Sequence, residues 1–419
     1  MWLDKLVAIK KEIFSFTRSQ RIFILCAMVC GFCISAEYAI IRPVSNAVFM
    51  TAYGSSYFPW VWMAIVPLNF LAVELYNRFL PRLGCQKIFL ISVSIIMGIN
   101  LVGPFFLKTW SVFPFIFYCW KEIYVLLMFQ QLWSVIHSTI KFEHAKYLYG
   151  LFFAVGGLGG ILGSFLPGFF AVQLGSENFL FMGIPFYCVL TWGFLYLLKH
   201  SHEQVKAVWE SKKGSIQEGI RLIAKSKVLI FILLIVVFMQ VSSTILYYQI
   251  NYTVELTIFD KDLRTEFFGK ILGLTNILTV LLQCVGSFLL IHFVGLRLSH
   301  LCVPAILCIN ALGCLLFPLF SMVTYSYVTI KAFDFSVFNI LKEMLYIPLS
   351  KEEKFQAKSF IDVFAYRSSK ALASLLILAF QFVQAPFSLF SWLSALICLG
   401  WCWVVTKMPA QETDSLTPL

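Results

Sequence analysis

From Ile22 to Thr406 the chain is a succession of apolar runs, each about 20 residues long, the length a helix needs to cross ~30 Å of hydrocarbon. The runs begin near Ile22, Phe58, Ile88, Val112, Leu148, Phe179, Val228, Phe267, Leu301, Val323, Ser359 and Phe387, so the sequence predicts an all-α polytopic membrane protein with about twelve transmembrane helices. With 60% hydrophobic and only 13% charged residues and a mean hydropathy of +0.85, too little polar surface remains to coat a globule in water. The first run is too long for a signal h-region and contains Glu37 and Arg42, so the N-terminal segment is expected to be retained. The 12 cysteines lie mostly within the apolar runs, with no histidine cluster beside them, and read as small packing residues. No metal and no cofactor is implied.

A formal net charge of +11 raises the possibility of nucleic acid as a partner, but the basic residues are distributed by loop rather than gathered into a patch. Taking alternate connections, 22 of the 32 fall on one side (among them Lys5, Arg18, Arg78, Lys87, Lys199, Lys213, Arg297 and Lys351) and 4 on the other (Lys108, Lys261, Arg264 and Lys270). The remaining 6 lie inside the apolar runs. The positive-inside rule then puts both termini in the cytoplasm. The longest connection carries seven basic residues with amphipathic spacing at Ile216, Ile220 and Ile223, as a surface helix would. The domain plan expected is an N-terminal six-helix bundle over 1–199, a cytoplasmic linker over 200–227, a C-terminal six-helix bundle over 228–407 and a disordered polar tail over 408–419.

The halves resemble each other. A shift of 212 residues lays Ala145–Lys146 on Ala357–Lys358 and Glu122 on Asp334, and a shift of 211 lays Gly84 on Gly295. Six spans per half give both halves the same orientation, as in parallel repeats. This is a major-facilitator-like plan.

An ionisable group inside the hydrocarbon is costly unless it is paired or faces water, so the embedded charges are the candidate site. The basic set is Arg42, Lys121, Lys331, Lys342, Arg367 and Lys370, and the acidic set is Glu37, Glu74, Glu122, Asp334, Glu343 and Asp362. Tyr38, Arg42 and Asn46 stand four apart in the first span, where Pro43 removes an intrahelical donor and predicts a kink. In the eleventh, Lys358, Asp362, Tyr366 and Lys370 step by four along one stripe, with Arg367 beside it. The bland readings are intrahelical ion pairs for Lys331 with Asp334 and for Lys358 with Asp362, snorkelling for Lys342 and Glu343, and interfacial positions for Glu74 and His137. GGLGGILGS, from Gly156 to Ser164, lacks the preceding strand that would make a dinucleotide loop and reads as GxxxG helix packing. No P-loop sequence is present, and no nucleophile, base and orienting group recur at a span end, so an enzyme is not expected.

EYAIIRPVSNAVF in the first span, FQQLWSVIHSTIKFEHAKYLYGLFFAVGGLGGILGS across the fourth and fifth, and KFQAKSFIDVFAYRSSKAL in the eleventh resemble the ATP/ADP translocase (NTP/NDP exchange transporter) family of plastids and obligate intracellular bacteria. The chain is shorter than the better-known exchangers and has Arg42 where a lysine is expected, the pattern of a sister group. What the resemblance implies is a carrier, ATP:ADP antiporter-like and nucleotide-binding, that exchanges or imports ATP and ADP or another phosphorylated metabolite across a bacterial inner membrane. Motif match carries a transport role to Arg42, Glu122, Lys358, Asp362, Arg367 and Lys370.

Under that expectation Arg42, Lys121, Arg367 and Lys370 bind the solute with Tyr38 and Tyr366, while Glu37, Glu122, Asp334, Lys331, Lys358 and Asp362 couple or gate it. Tyr38, Trp120, Tyr124 and Tyr366 could stack on a base or simply pack. Two other readings stay open: a proton-coupled carrier of another metabolite with Glu37, Glu122 or Asp334 as the proton site, and a non-transporting membrane assembly protein with the same fold.

Overall fold

The computed structural model describes residues 16–140, 142–201, 216–346, 349 and 360–408. Among these no strand occurs. The described residues form twelve helical spans in succession, at the places of the twelve apolar runs. They are α1 Arg18–Tyr53; α2 and α3, the two arms (58–83 and 85–109) of Phe58–Thr109; α4 Phe113–Thr139; α5 Phe142–Leu174; and α6 Phe179–Lys199. After a connecting helix, Ile216–Lys225, come α7 Lys227–Thr257; α8, from Lys261–Leu281 through a π turn to Val294; and α9 Leu296–Leu316. α10 runs from Phe320 through the π turn Asp334–Phe338 to Leu345, α11 from the π turn Phe360–Ala365 to Phe382, and α12 is Ser388–Thr406. Residues 1–15, half of the linker (202–215) and the tail after Met408 lie outside the described residues.

Length and composition qualify eight of the helical stretches to cross a membrane, one of them holding both α2 and α3. Those that fall short are α4, α10 and α11. These three carry Lys121 with Glu122, Lys331 with Asp334, and Arg367 with Lys370. Outward-facing apolar side chains such as Phe105, Trp192, Ile309 and Leu396, each more than 60% exposed, make the exterior a lipid-type surface.

The chain clusters into two compact units. One comprises Met1–Tyr53, Pro67–Lys212 and Ile258–Asn276, the other Gly54–Val66, Lys213–Thr257 and Ile277–Leu419. In the first, α1 is the central helix and buries Cys26, Cys30, Ile34, Glu37 and Ile41 along with much of its remaining surface. Its core is built at helical spacing from Phe89, Val93 and Ile96 on α3, Tyr124, Met128 and Leu132 on α4, and Tyr187, Leu190 and Phe194 on α6. α1 continues across Pro43 as a helix. Cys30 and Cys33, in the spacing CGFC, are buried free thiols among these apolar side chains.

Apolar burial does not drive one helix onto another in lipid, so close backbone approach matters more. α5 supplies it. A Cβ on Gly159 would lie 2.4 Å from the Phe32 carbonyl oxygen and one on Gly163 2.2 Å from that of Ala36, so the glycine stripe seats the backbone of α1 beside Glu37. The packing reading of GGLGGILGS holds. In the second unit α7 takes the central place and buries side chains along most of its length, from Leu229 to Val254.

The repeat is visible in the backbone. Gly84 (φ 75°, ψ 161°) and Gly295 (φ 82°, ψ 163°) adopt the same left-handed conformation at matched turns, α2–α3 and α8–α9, where an L side chain would be strained. At two other turns a carboxylate takes the leading N–H: Ser55 donates to Glu255 Oε2 (2.8 Å), and Ser176 donates its N–H to Asp262 Oδ1 (2.8 Å) and its hydroxyl to the same oxygen. Beside the second, Lys261 pairs with Glu177.

Candidate functional site

In the first unit α1 and α4 bring together most of the embedded charges of the N-terminal half. Glu37 is 1% exposed and lies between α4 and α6, where the Tyr124 hydroxyl donates to Oε1 (2.9 Å) and the Tyr187 hydroxyl to Oε2 (3.2 Å). Asn100 of α3, also buried, packs alongside, and Gly183 leaves room for both: a Cβ there would stand 2.7 Å from Asn100 Nδ2 and 3.3 Å from Glu37 Oε1. Among the described residues Glu37 makes no ion pair, so its partners are phenols rather than the cations expected from the sequence.

One residue along α1, the other charges gather. Lys121 is buried and its ammonium lies 2.7 Å from Glu122 Oε1. The same ammonium sits 4.1 Å from the Tyr118 ring centroid and 6.0 Å from that of Tyr38, and Tyr38 Oη reaches Glu122 Oε1 at 3.5 Å. Arg42, one turn beyond Tyr38, stands 5.9 Å from the Tyr38 ring, as the four-residue spacing predicts. Tyr38, Arg42, Lys121 and Glu122 thus form one cluster of cations, a carboxylate and aromatic faces.

In the second unit two lysines converge on an aromatic ladder. Trp62 of α2 stacks on Tyr247 of α7 (5.2 Å, 18°), which stacks in turn on Tyr327 of α10 (5.6 Å, 21°). Lys370 of α11 sits 5.3 Å from the Trp62 ring, and Lys331 of α10 lies 5.9 Å from Tyr247 and 5.7 Å from Phe335. Trp62 is fully buried and Tyr247 nearly so, which makes the contacts of these lysines with the rings more favourable than on a wet surface.

Asp334 opens the π turn of α10 and is 5% exposed. It accepts from Gln240 Nε2 at 3.1 and 3.4 Å, and among the described residues no cation comes within salt-bridge distance of it, so the three-residue spacing to Lys331 leaves the two in each other's field without a direct contact. Cross-helix partners explain the miss: Gln240 of α7 takes the carboxylate, and the Lys331 ammonium lies by the Tyr247 and Phe335 rings. Lys342 lies 3.8 Å from Glu343, which is well exposed. Arg367 is half-buried and Tyr366 is 37% exposed. Lys358 lies outside the described residues, as does the side chain of Asp362, whose backbone belongs to the π turn of α11.

Sequence reasoning singled out neither Tyr118, Tyr187 and Asn100 nor Trp62, Tyr247 and Gln240. Each is an ordinary packing residue by type, and only the charged side chain it meets marks it. The one signal available was that Gln240 and Asn100 are amides within apolar runs.

Residues 321–411 match the model of the TLC ATP/ADP transporter family, a stretch holding α10 to α12 with Lys331, Asp334, Arg367 and Lys370. That match supports the family recognised from the sequence motifs. A comparison of the sequence with curated proteins finds no match. Among solved structures the chain is similar to the D-xylose–proton symporter (13% identity, TM-score 0.65, covering 96% of this chain and 100% of that one). It is also similar to an auto-inhibited POT family peptide transporter (12%, 0.65, 95% and 99%) and to the nucleoside transporter NupG (12%, 0.58, 94% and 99%). The fold is therefore major-facilitator-like over nearly the whole chain. Together with the match over 321–411, this likeness of fold supports an integral membrane secondary transporter.

Proposed function

We propose that this protein carries nucleotides, with ATP and ADP as the first candidates, by alternating access and chiefly by exchange. The observation that carries the reading is the family match over 321–411, which falls on the span whose Lys370 meets the aromatic ladder in the second unit. A phosphate chain needs fixed cations and a base needs a flat apolar face. Lys370 and Lys331 beside Trp62 and Tyr247 offer both, and Arg42 and Lys121 beside Tyr38 offer the same pairing in the first unit. Arg367 is added by motif match. In the empty carrier Glu122 neutralises Lys121, and a bound phosphate replaces it. Swapping that internal pair for a solute pair leaves the empty carrier, with the pair re-formed, reluctant to reorient, which favours exchange over net import.

The two-bundle plan with both termini in the cytoplasm, joined by the basic linker and set in a bacterial inner membrane, completes the proposal. Its test is counterflow of labelled ATP into ADP-loaded proteoliposomes. Saturable uptake that requires internal nucleotide is expected, and absence of uptake for every nucleotide offered overturns the reading.

A second reading, proton-coupled carriage, is favoured by one observation: Glu37 is buried against two phenol hydroxyls, with no ion pair among the described residues. A carboxyl so placed can exchange a proton without breaking a salt bridge. Uptake driven by an imposed pH gradient, without counter-substrate and lost in Glu37→Gln, distinguishes this reading from strict exchange.

A further inference from the structure

At the end of the first unit that bears Lys199, a cavity of about 300 Å³ opens among α1, α4, α5 and α6. Its polar lining includes Thr17, Gln20, Thr139, Lys199, His200 and Ser201. Further into the span, a groove of about 440 Å³ is lined wholly by apolar side chains, among them Met28, Val29, Phe32, Val155, Phe186 and Val189. The two features share three helices and, on each, one face. On α1, Gln20 and Ile24 of the cavity continue at four-residue steps into Met28 and Phe32 of the groove. On α5, Leu148 and Val155 are two turns apart, and His200, which caps α6, stands about three turns past Val189.

We propose that this face binds one anionic phospholipid, its phosphate at the Lys199–His200 mouth and an acyl chain in the groove beneath. Three observations fix the occupant. From Gln20 to Phe32 the path is about 18 Å long at ~1.5 Å per residue, close to the ~15 Å depth of one leaflet. The polarity runs the right way, with hydroxyls, an amide and basic groups at the mouth and only apolar atoms below; no carboxylate lines either feature among the described residues. On α6 the exposed Trp192 stacks on Tyr196 (5.7 Å, 11°), and Tyr196 packs on the His200 ring (4.7 Å), an aromatic ladder that climbs from acyl depth to the rim, where Tyr and Trp rings favour the interface. His200 Nδ1 donates to the Tyr196 carbonyl (2.9 Å), which holds the ring at the rim. The lipid would brace α1, the helix that carries Glu37, Tyr38 and Arg42.

Native mass spectrometry of the full-length protein in detergent, titrated with phosphatidylglycerol or phosphatidylcholine of matched chains, tests this. One phosphatidylglycerol adduct is expected to survive at collision energies that strip phosphatidylcholine, with about tenfold preference. The Lys199→Gln/His200→Gln variant should erase that preference, and Val155→Trp, which fills the groove, should remove the retained adduct. Equal retention of the two lipids by the wild-type protein overturns the proposal without recourse to any variant. So does displacement of the adduct by millimolar inorganic phosphate, which would make the mouth a site for free anions. This inference stands whether or not the carrier moves nucleotides.

Discussion

The ammonium of Lys121 lies 2.7 Å from a carboxylate oxygen of Glu122, its neighbour in the chain, and the two differ sharply in burial: 1% of the lysine side chain is exposed against 24% of the glutamate. That asymmetry predicts unequal mutants. Glu122→Gln leaves a buried ammonium without its anion and is expected to cost about 3 kcal/mol or more, since stripping one partner from a buried pair exposes the full desolvation penalty of the other. Lys121→Gln leaves a carboxylate that water can partly reach, and should cost less. The double variant should recover much of the stability while remaining unable to transport. Thermal midpoints in detergent, read beside ATP counterflow, check this, and equal midpoints for the two single variants would remove the argument from burial.

Glu37 presents a different case, since both of its hydrogen bonds come from phenols. Glu37→Gln keeps a carbonyl oxygen to accept from Tyr124, so its stability is expected to stay within about 1.5 kcal/mol of the wild type. If protons are coupled through this residue, the variant loses uptake driven by a pH gradient yet keeps counterflow. A variant that answers an imposed gradient as the wild type does would place the proton elsewhere.

Much of this arrangement was legible in the sequence, and the part that was not has a physical reason. Apolar run length gave the spans, because a bilayer admits few structures besides helices of fixed minimum length. The four-residue spacing of Tyr38 and Arg42 gave a contact because both belong to an uninterrupted α-helix. Lys331 and Asp334 fall under the same rule but part company, since Asp334 turns to Gln240 of α7 and the Lys331 ammonium lies by the Tyr247 and Phe335 rings. No spacing rule reaches across helices, so the meeting of Lys370 with Trp62, more than three hundred residues away, had no local trace.

That meeting makes its own prediction. A cation over a buried aromatic face contributes on the order of 1–2 kcal/mol, so Lys370→Gln should move the thermal midpoint little while raising the KM for nucleotide at least tenfold. Trp62→Ala removes a fully buried ring from the stack with Tyr247 and is expected to cost about 3–5 kcal/mol. Unaltered KM in a folded Lys370→Gln protein would take the aromatic ladder out of the solute path.

The glycine stripe of α5 sets a harder limit. The atom that a Gly163 Cβ would strike is the Ala36 backbone carbonyl oxygen at 2.2 Å, and backbone cannot turn aside as a side chain can. Gly163→Val should therefore push α1 and α5 apart and lose folded protein in membrane extracts. Gly150→Ala on the same helix, with nothing within 4 Å of its Cβ, should be neutral or gain up to about 1 kcal/mol. Comparable yields of the two variants would mean that α1 and α5 do not rely on this contact.

Asp262 offers the sharpest separation of charge from hydrogen bonding. Its Oδ1 accepts both the N–H and the hydroxyl of Ser176, at a turn introduced by Gly175 in positive φ. Asp262→Ala strands the Ser176 N–H, and losing hydrogen bonds to a charged acceptor is expected to cost about 1.5–3 kcal/mol. Asp262→Asn keeps a carbonyl oxygen in place and should recover roughly half of that. Ser176→Ala removes the hydroxyl, which also meets Thr265 Oγ1 (2.7 Å), but leaves the Ser176 N–H bonded and Thr265 donating to the Lys261 carbonyl, so its loss should be the smallest of the three. The order Ala, then Asn, then Ser176→Ala in thermal midpoint is the expected result. If Asp262→Asn instead falls as far as Asp262→Ala, the carboxylate acts through its charge, with the nearby Lys261 at 3.8 Å as the partner that loses it.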